Sequence, residues 1–257
     1  MESPEKSGGV APIDTATPIA RDLLRVLLVW ASFLIVTYVA LHLTWRFRWV
    51  PNPIQDIFAV ASEKALVTWT SVVTTCAIGV ACLALGRLER SVGWYLTGAL
   101  FVALSMDDEA MIHERIGWAA GVDGESFAYS WVYVVMPLIA LFGLLAFAKI
   151  WHATKHLPGS RRKAIGAFAL LAIALALEIP ERALVESGET WRGFAVRKYS
   201  QLVEESCELV GPILLLSCVV GLVEIRLRAS RKAVSGDSGD GASGPPAGSG
   251  RAGTGRR

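Results

Sequence analysis

The sequence predicts an all-α fold, a polytopic membrane bundle of about six transmembrane helices, and three observations carry that expectation. Apolar residues make up 53% of the 257 positions and charged residues 19%, short of the roughly one quarter charged that soluble domains carry. Mean hydropathy is positive, at +0.45. Apolar runs recur six times between charged or turn-forming segments, each close to the roughly 20 helical residues that cross about 30 Å of hydrocarbon.

Residues 1–22 are polar and contain Pro4, Pro12 and Pro18, which reads as a short cytoplasmic tail and not as a secretory signal with a compact apolar core. The first span follows from Leu23 to Trp45. A loop with Pro51 and Pro53 leads to the second, Ala65 to Gly86, and Arg87 and Arg90 bound the start of the third, Val92 to about Trp118. The fourth runs from Phe127 to Ile150, the fifth from Ala164 to about Val185, and the sixth from Tyr199 to Ile225. Trp45, Trp49, Trp118, Trp131, Trp151 and Trp191 lie near these boundaries, where an amphipathic ring favours the membrane interface. The membrane domain is therefore expected over 23–228, with 229–257 a disordered tail of Gly, Ser, Ala and Pro that buries too little apolar surface to order.

Net charge is +2, which gives no reason to expect nucleic acid as a partner. Cys76, Cys82, Cys207 and Cys218 all fall inside apolar runs, so they read as small hydrophobes and not as a disulfide framework. With six alternating spans, the ends that include Arg21, Arg25, Arg87, Arg90, Lys149, Arg161, Arg162 and Lys163 carry more basic residues than the opposite ends. The tendency of Lys and Arg to stay inside then places both termini in the cytoplasm.

Acids gather at the other end. The third span is apolar only from Val92 to Met106, about 22 Å at 1.5 Å per residue, so Asp107, Asp108 and Glu109 lie beneath the membrane surface. The fifth meets Glu178, Glu181 and Arg182 after a similar length, and the sixth, running the other way, carries Glu204, Glu205 and Glu208 about 27 Å or more from Arg226. Alternating helix direction alone puts these groups at one depth. His42 and Glu63 end the first and second spans on the same side.

Residues three or four apart share a helix face, which aligns Glu109 with His113, Asp107 with Glu114 one further turn along, and Glu205 with Glu208. Unpaired carboxylates cost several kcal/mol to bury, so such a group calls for protons, arginines, water or a cation. A divalent metal of unspecified identity satisfies several at once, with Glu109, His113, Glu114, Glu205 and Glu208 as ligands. Asp107 or Glu178 then serves as general base toward a metal-bound water, in a reaction on a lipid or lipid-linked substrate. The Glu-x-x-x-His spacing departs from the Glu-x-x-His of di-iron bundles. A proton or cation translocator using the same acids, and a structural or assembly subunit whose acids only join helices, are the competing expectations. Oligomeric state is left open by the residues.

The run Leu104-Ser105-Met106-Asp107-Asp108-Glu109 with His113-Glu114, followed by Glu204-Glu205, Glu208 and Gly211, resembles a set of uncharacterised bacterial multi-pass membrane proteins. The resemblance covers the third to sixth spans and implies a bacterial inner (cytoplasmic) membrane setting with membrane lipids as surroundings; it implies no activity. Ser105 and His113 also invite comparison with the membrane metal hydrolases that include alkaline ceramidases and adiponectin-receptor-like proteins, although the further membrane histidines of that pattern are missing.

Overall fold

The computed structural model describes residues 17–45, 57–58, 65–110, 112, 115, 131–186 and 191–236. These residues form six long α-helices: α1 Pro18–Trp45, α2 Leu66–Glu89, α3 Val92–Ala110, α4 Trp131–Thr154, α5 Pro158–Glu186 and α6 Trp191–Gly236. The fold is all-α. Four stretches are long and apolar enough to cross a membrane: Pro18–Leu41, Leu66–Glu89, Pro137–Thr154 and Tyr199–Arg231. In α3 the apolar run stops at Met106, and in α5 the described side chains stop at Leu177.

The bundle's exterior is oily. Val26, Val29, Phe33 and Val36 of α1, Trp69, Val73 and Val80 of α2, and Leu138, Leu141, Leu144 and Leu145 of α4 are all exposed. Contiguous apolar surface on this scale is disfavoured in water and is what hydrocarbon covers.

Helix α6 is the axis of the bundle, packing against α5, α2 and α1, while α3 packs on α2, and α4 lies more loosely against α5 and α3. Accordingly Leu209, Ile213, Leu215, Cys218 and Val219 of α6 are fully buried or almost so, joined by Leu34, Ile78, Leu85, Trp94 and Ile150 from its neighbours. Its 46 residues span about 69 Å, more than a bilayer's thickness.

Inside lipid, helices gain little from apolar burial against one another and depend on close van der Waals fit, which small residues allow. The α2–α3 contact works this way: a Cβ on Gly79 would come within 2.9 Å of the Gly98 carbonyl, and one on Gly98 within 2.8 Å of the Gly79 carbonyl. The two helices join through Arg90, which adopts a left-handed conformation (φ 49°, ψ 44°). There the Ser91 amide returns to the Gly86 carbonyl at 3.1 Å, a Schellman-type closure of the α2 C-terminus.

Polar contacts fix which helix ends lie together. Glu89 at the end of α2 accepts from Arg226 Nε of α6 (2.7 Å) and from Trp94 Nε1 of α3 (2.9 Å). Lys149 near the end of α4 donates to Ser91 before α3 (3.1 Å), and Lys163 of α5 donates to Ser217 of α6 (3.0 Å). Ser217 donates in turn to the Ala20 carbonyl of α1 at 3.0 Å. All six helices therefore meet at one basic end, and their direction alternates as the sequence predicts.

Helix α1 begins at Pro18, earlier than the expected Leu23, and its start has a visible cause. Proline at the first helical position costs no hydrogen bond, and the Ala20 amide is capped from α6 by Glu224 Oε2 at 3.4 Å. The other oxygen of Glu224 accepts from Arg228 Nη2 at 2.6 Å. A buried carboxylate at a helix N-terminus also meets the favourable end of the helix dipole.

Candidate functional site: an acidic end above an apolar cavity

At the opposite end, α6 carries Glu204, Glu205 and Glu208 within two turns. Glu204 is buried, and Glu205 and Glu208 are half-buried. Glu205 lies near the Tyr38 phenol of α1. Glu208 lines a cavity of about 640 Å³ bounded by α3, α4 and α5.

The rest of that cavity wall is hydrocarbon. Leu100, Phe101 and Leu104 come from α3; Ile139, Ala140, Gly143, Leu144 and Phe147 from α4; Ile165, Phe168, Ala169, Leu171, Ala172, Ala174 and Leu175 from α5. Among the described residues, Glu208 is the single charged residue of this lining. The Phe147 and Phe168 rings of this lining meet edge-on at 5.0 Å. From Ile165 to Leu175 the cavity extends about 15 Å along the helix axis.

Small residues make the space. Ala140 and Gly143 on α4 oppose Ala169 and Ala172 on α5, each pair three apart and so on one face. A Cβ on Gly143 would meet nothing within 4 Å. The volume lies within the 300–1,000 Å³ typical of ligand pockets.

The main chain beside Glu208 is specialised as well. Pro212 lies inside α6 and has no N–H, so the carbonyl four residues earlier, that of Glu208, loses its helical donor. Ser71 of α2 supplies one: its hydroxyl donates to the Glu208 carbonyl at 3.3 Å. At the next residue of α2, the buried Ser105 donates from α3 to the Val72 carbonyl at 2.9 Å. Ser105, singled out by the hydrolase comparison, thus has its hydroxyl engaged in joining α3 to α2.

The other expected site residues distribute as follows. Asp107 on α3 is half-buried, and Asp108 and Glu109 are exposed. His113 and Glu114 lie outside the described residues, as does Glu63. Glu178 falls on α5, but its side chain, like that of His42 on α1, is likewise outside them. Among the described residues, no three His, Cys, Asp or Glu side chains are grouped so that they could hold a metal ion. Of the expected site acids, Glu208 lines the cavity and Glu205 lies near Tyr38 of α1.

Sequence reasoning missed Ser71, Pro212, Glu224 and the cavity. Pro212, four residues after Glu208, was the available signal for a freed carbonyl, and the facing Ala/Gly pairs were the signal for a void.

Residues 24–222 match the model of a domain of unknown function, DUF8692. The chain belongs to the DUF8692 family. The DUF8692 match begins in the second turn of α1 and ends at Leu222 of α6, so it contains the cavity, the acidic end and the Ser71–Glu208 bond. No curated protein and no solved structure matches the chain.

Proposed function

We propose that this protein is a six-span integral membrane protein that admits a lipid or lipid-linked molecule sideways between α4 and the α3–α5 pair and holds its polar end at the carboxylates. The observation that carries this reading is the chamber of about 640 Å³ whose described lining is hydrocarbon apart from the carboxylate of Glu208. A long-chain molecule leaves its apolar part in surroundings like the bilayer, while a hydroxyl, amide or amine at its head finds an acceptor in a region of low dielectric, where such a bond is strong. The loose seating of α4 supports entry from the membrane.

The metal-assisted form of this reading draws on the placement of acids from α3 and α6 at the same end. In that form Glu109, His113, Glu114, Glu205 and Glu208 would hold a divalent cation, which would supply an activated water, and Asp107 or Glu178 would serve as general base. Translocation is the weaker reading, because the basic half of the bundle is filled by Ile78, Leu85, Trp94, Ile150, Leu215 and Val219.

The test is extraction and mass spectrometry of what the detergent-purified protein retains, beside Gly143→Trp, which fills the chamber, and Glu208→Gln, together with elemental analysis. Retention of a defined long-chain species that Gly143→Trp abolishes supports the proposal. Equal retention by the native and filled chambers would refute it. Metal bound near stoichiometry and lost in Glu208→Gln supports the metal-assisted form; protein that stays metal-free after supplementation removes it.

A further inference from the structure

A second groove lies on the other flank of the α3–α4 contact, and its polar end has the opposite charge. It has a volume of about 490 Å³ and is lined by Leu96, Ala99 and Ala103 of α3 and Phe142, Leu145 and Lys149 of α4. Leu100 borders both spaces and separates this groove from the Glu208 chamber. Lys149 stands at the basic end of the bundle. Its stem crosses Gly93, where an added Cβ would lie 3.5 Å from Cδ and Cε.

The surroundings leave the Lys149 charge available to an anion. Its ammonium donates to the neutral Ser91 hydroxyl at 3.1 Å and sits 5.0 Å from the centre of the Trp94 ring. Among the described residues Glu89 lies near it, and that acid is already held by Arg226 at 2.7 Å and by Trp94 at 2.9 Å. Arg87 and Arg90 are exposed in the adjoining α2–α3 turn, and His152 is exposed on α4 three residues beyond Lys149. Basic pockets between helices at a membrane surface suit anionic headgroups, each Lys or Arg contributing about 1 kcal/mol.

We infer that the α3–α4 groove is a binding site for an anionic phospholipid, with an acyl chain along Leu96, Ala103 and Phe142 and the phosphate at Lys149. The occupant differs from that of the acidic chamber because the charge at the polar end is reversed. This site stands independently of the reading given for Glu208.

Native mass spectrometry of the full chain, titrated with 1-palmitoyl-2-oleoyl phosphatidylglycerol and with phosphatidylcholine of the same chains, tests the inference. Phosphatidylglycerol is expected to bind the native protein at least about fivefold more tightly. Lys149→Gln, which keeps a hydrogen-bond donor for Ser91, removes most of that preference, a loss of about fivefold being what about 1 kcal/mol corresponds to; Lys149→Arg retains it. Ala103→Trp, which fills the groove, lowers occupancy by phosphatidylglycerol, and Gly143→Trp leaves it unchanged. Equal affinity for the two lipids in the native protein overturns the site, and so does a preference that survives Lys149→Gln. Undiminished phosphatidylglycerol binding by a folded Ala103→Trp variant overturns the groove as its location.

Discussion

The hydroxyl of Ser71 donates to the main-chain carbonyl of Glu208 at 3.3 Å, the carbonyl that Pro212 leaves without a helical partner. A break in α6 is thereby answered by a side chain of α2, and the main chain that carries the cavity carboxylate Glu208 is tied to a neighbouring helix. In lipid there is no water to satisfy such a carbonyl, which is why prolines persist in membrane helices beside serine or threonine.

That relationship predicts a specific non-additivity. Ser71→Ala should destabilise the protein by about 1 kcal/mol, the scale of interhelical hydrogen bonds in membranes. In a Pro212→Ala background, where residue 212 regains its N–H, the same change should cost close to nothing. A double-mutant cycle on detergent-solubilised protein, read by reversible unfolding, checks it. Equal costs in both backgrounds would mean that Ser71 does not serve the carbonyl freed by Pro212.

Glu224 caps α1 through the Ala20 amide and pairs with Arg228. Glu224→Ala should cost about 1–2 kcal/mol through loss of the cap and its dipole interaction. Hydrogen exchange should accelerate at the amides of Ile19 to Asp22 while those of Ala167 to Leu171 keep their protection. Uniform acceleration along the chain would point to a global effect in place of a cap.

Glycines at two positions predict opposite behaviour. At Gly79 an added Cβ meets the Gly98 carbonyl at 2.9 Å and Val102 Cγ2 at 2.6 Å, so Gly79→Val should force α2 and α3 apart and cost about 1–3 kcal/mol or more. At Gly143 a Cβ meets nothing, and Gly143→Ala should be neutral or stabilising by about 0.5–1 kcal/mol through helix propensity. Thermal unfolding of the two variants side by side distinguishes them.

Much of the fold is legible in the sequence because hydropathy and helix length are local quantities. The apolar runs near Leu66 and Val92 give helix positions, and alternating direction places Asp107 and Glu208 toward one end without knowledge of packing. What each acid faces is a different matter. Glu205 and Glu208 are three residues apart and share a stripe, yet one lies near Tyr38 and the other lines the cavity, because their surroundings are set by α1, α4 and α5. Glu224 drew no reading from the sequence, because only the approach of α1 makes it a cap. The cavity was hidden for a related reason, since a void is defined by Ala140, Gly143, Ala169 and Ala172 failing to meet across two helices.

The most direct test of the central claim is photolabelling of the membrane-embedded protein with a long-chain alcohol bearing a diazirine midway along its chain, followed by mapping of the adducts. The account predicts adducts concentrated on cavity residues such as Leu104, Phe168 and Leu171, lost in Gly143→Trp and reduced in Glu208→Gln. Adducts spread over the outward residues Val26, Val29 and Leu141, and unchanged by Gly143→Trp, would contradict it.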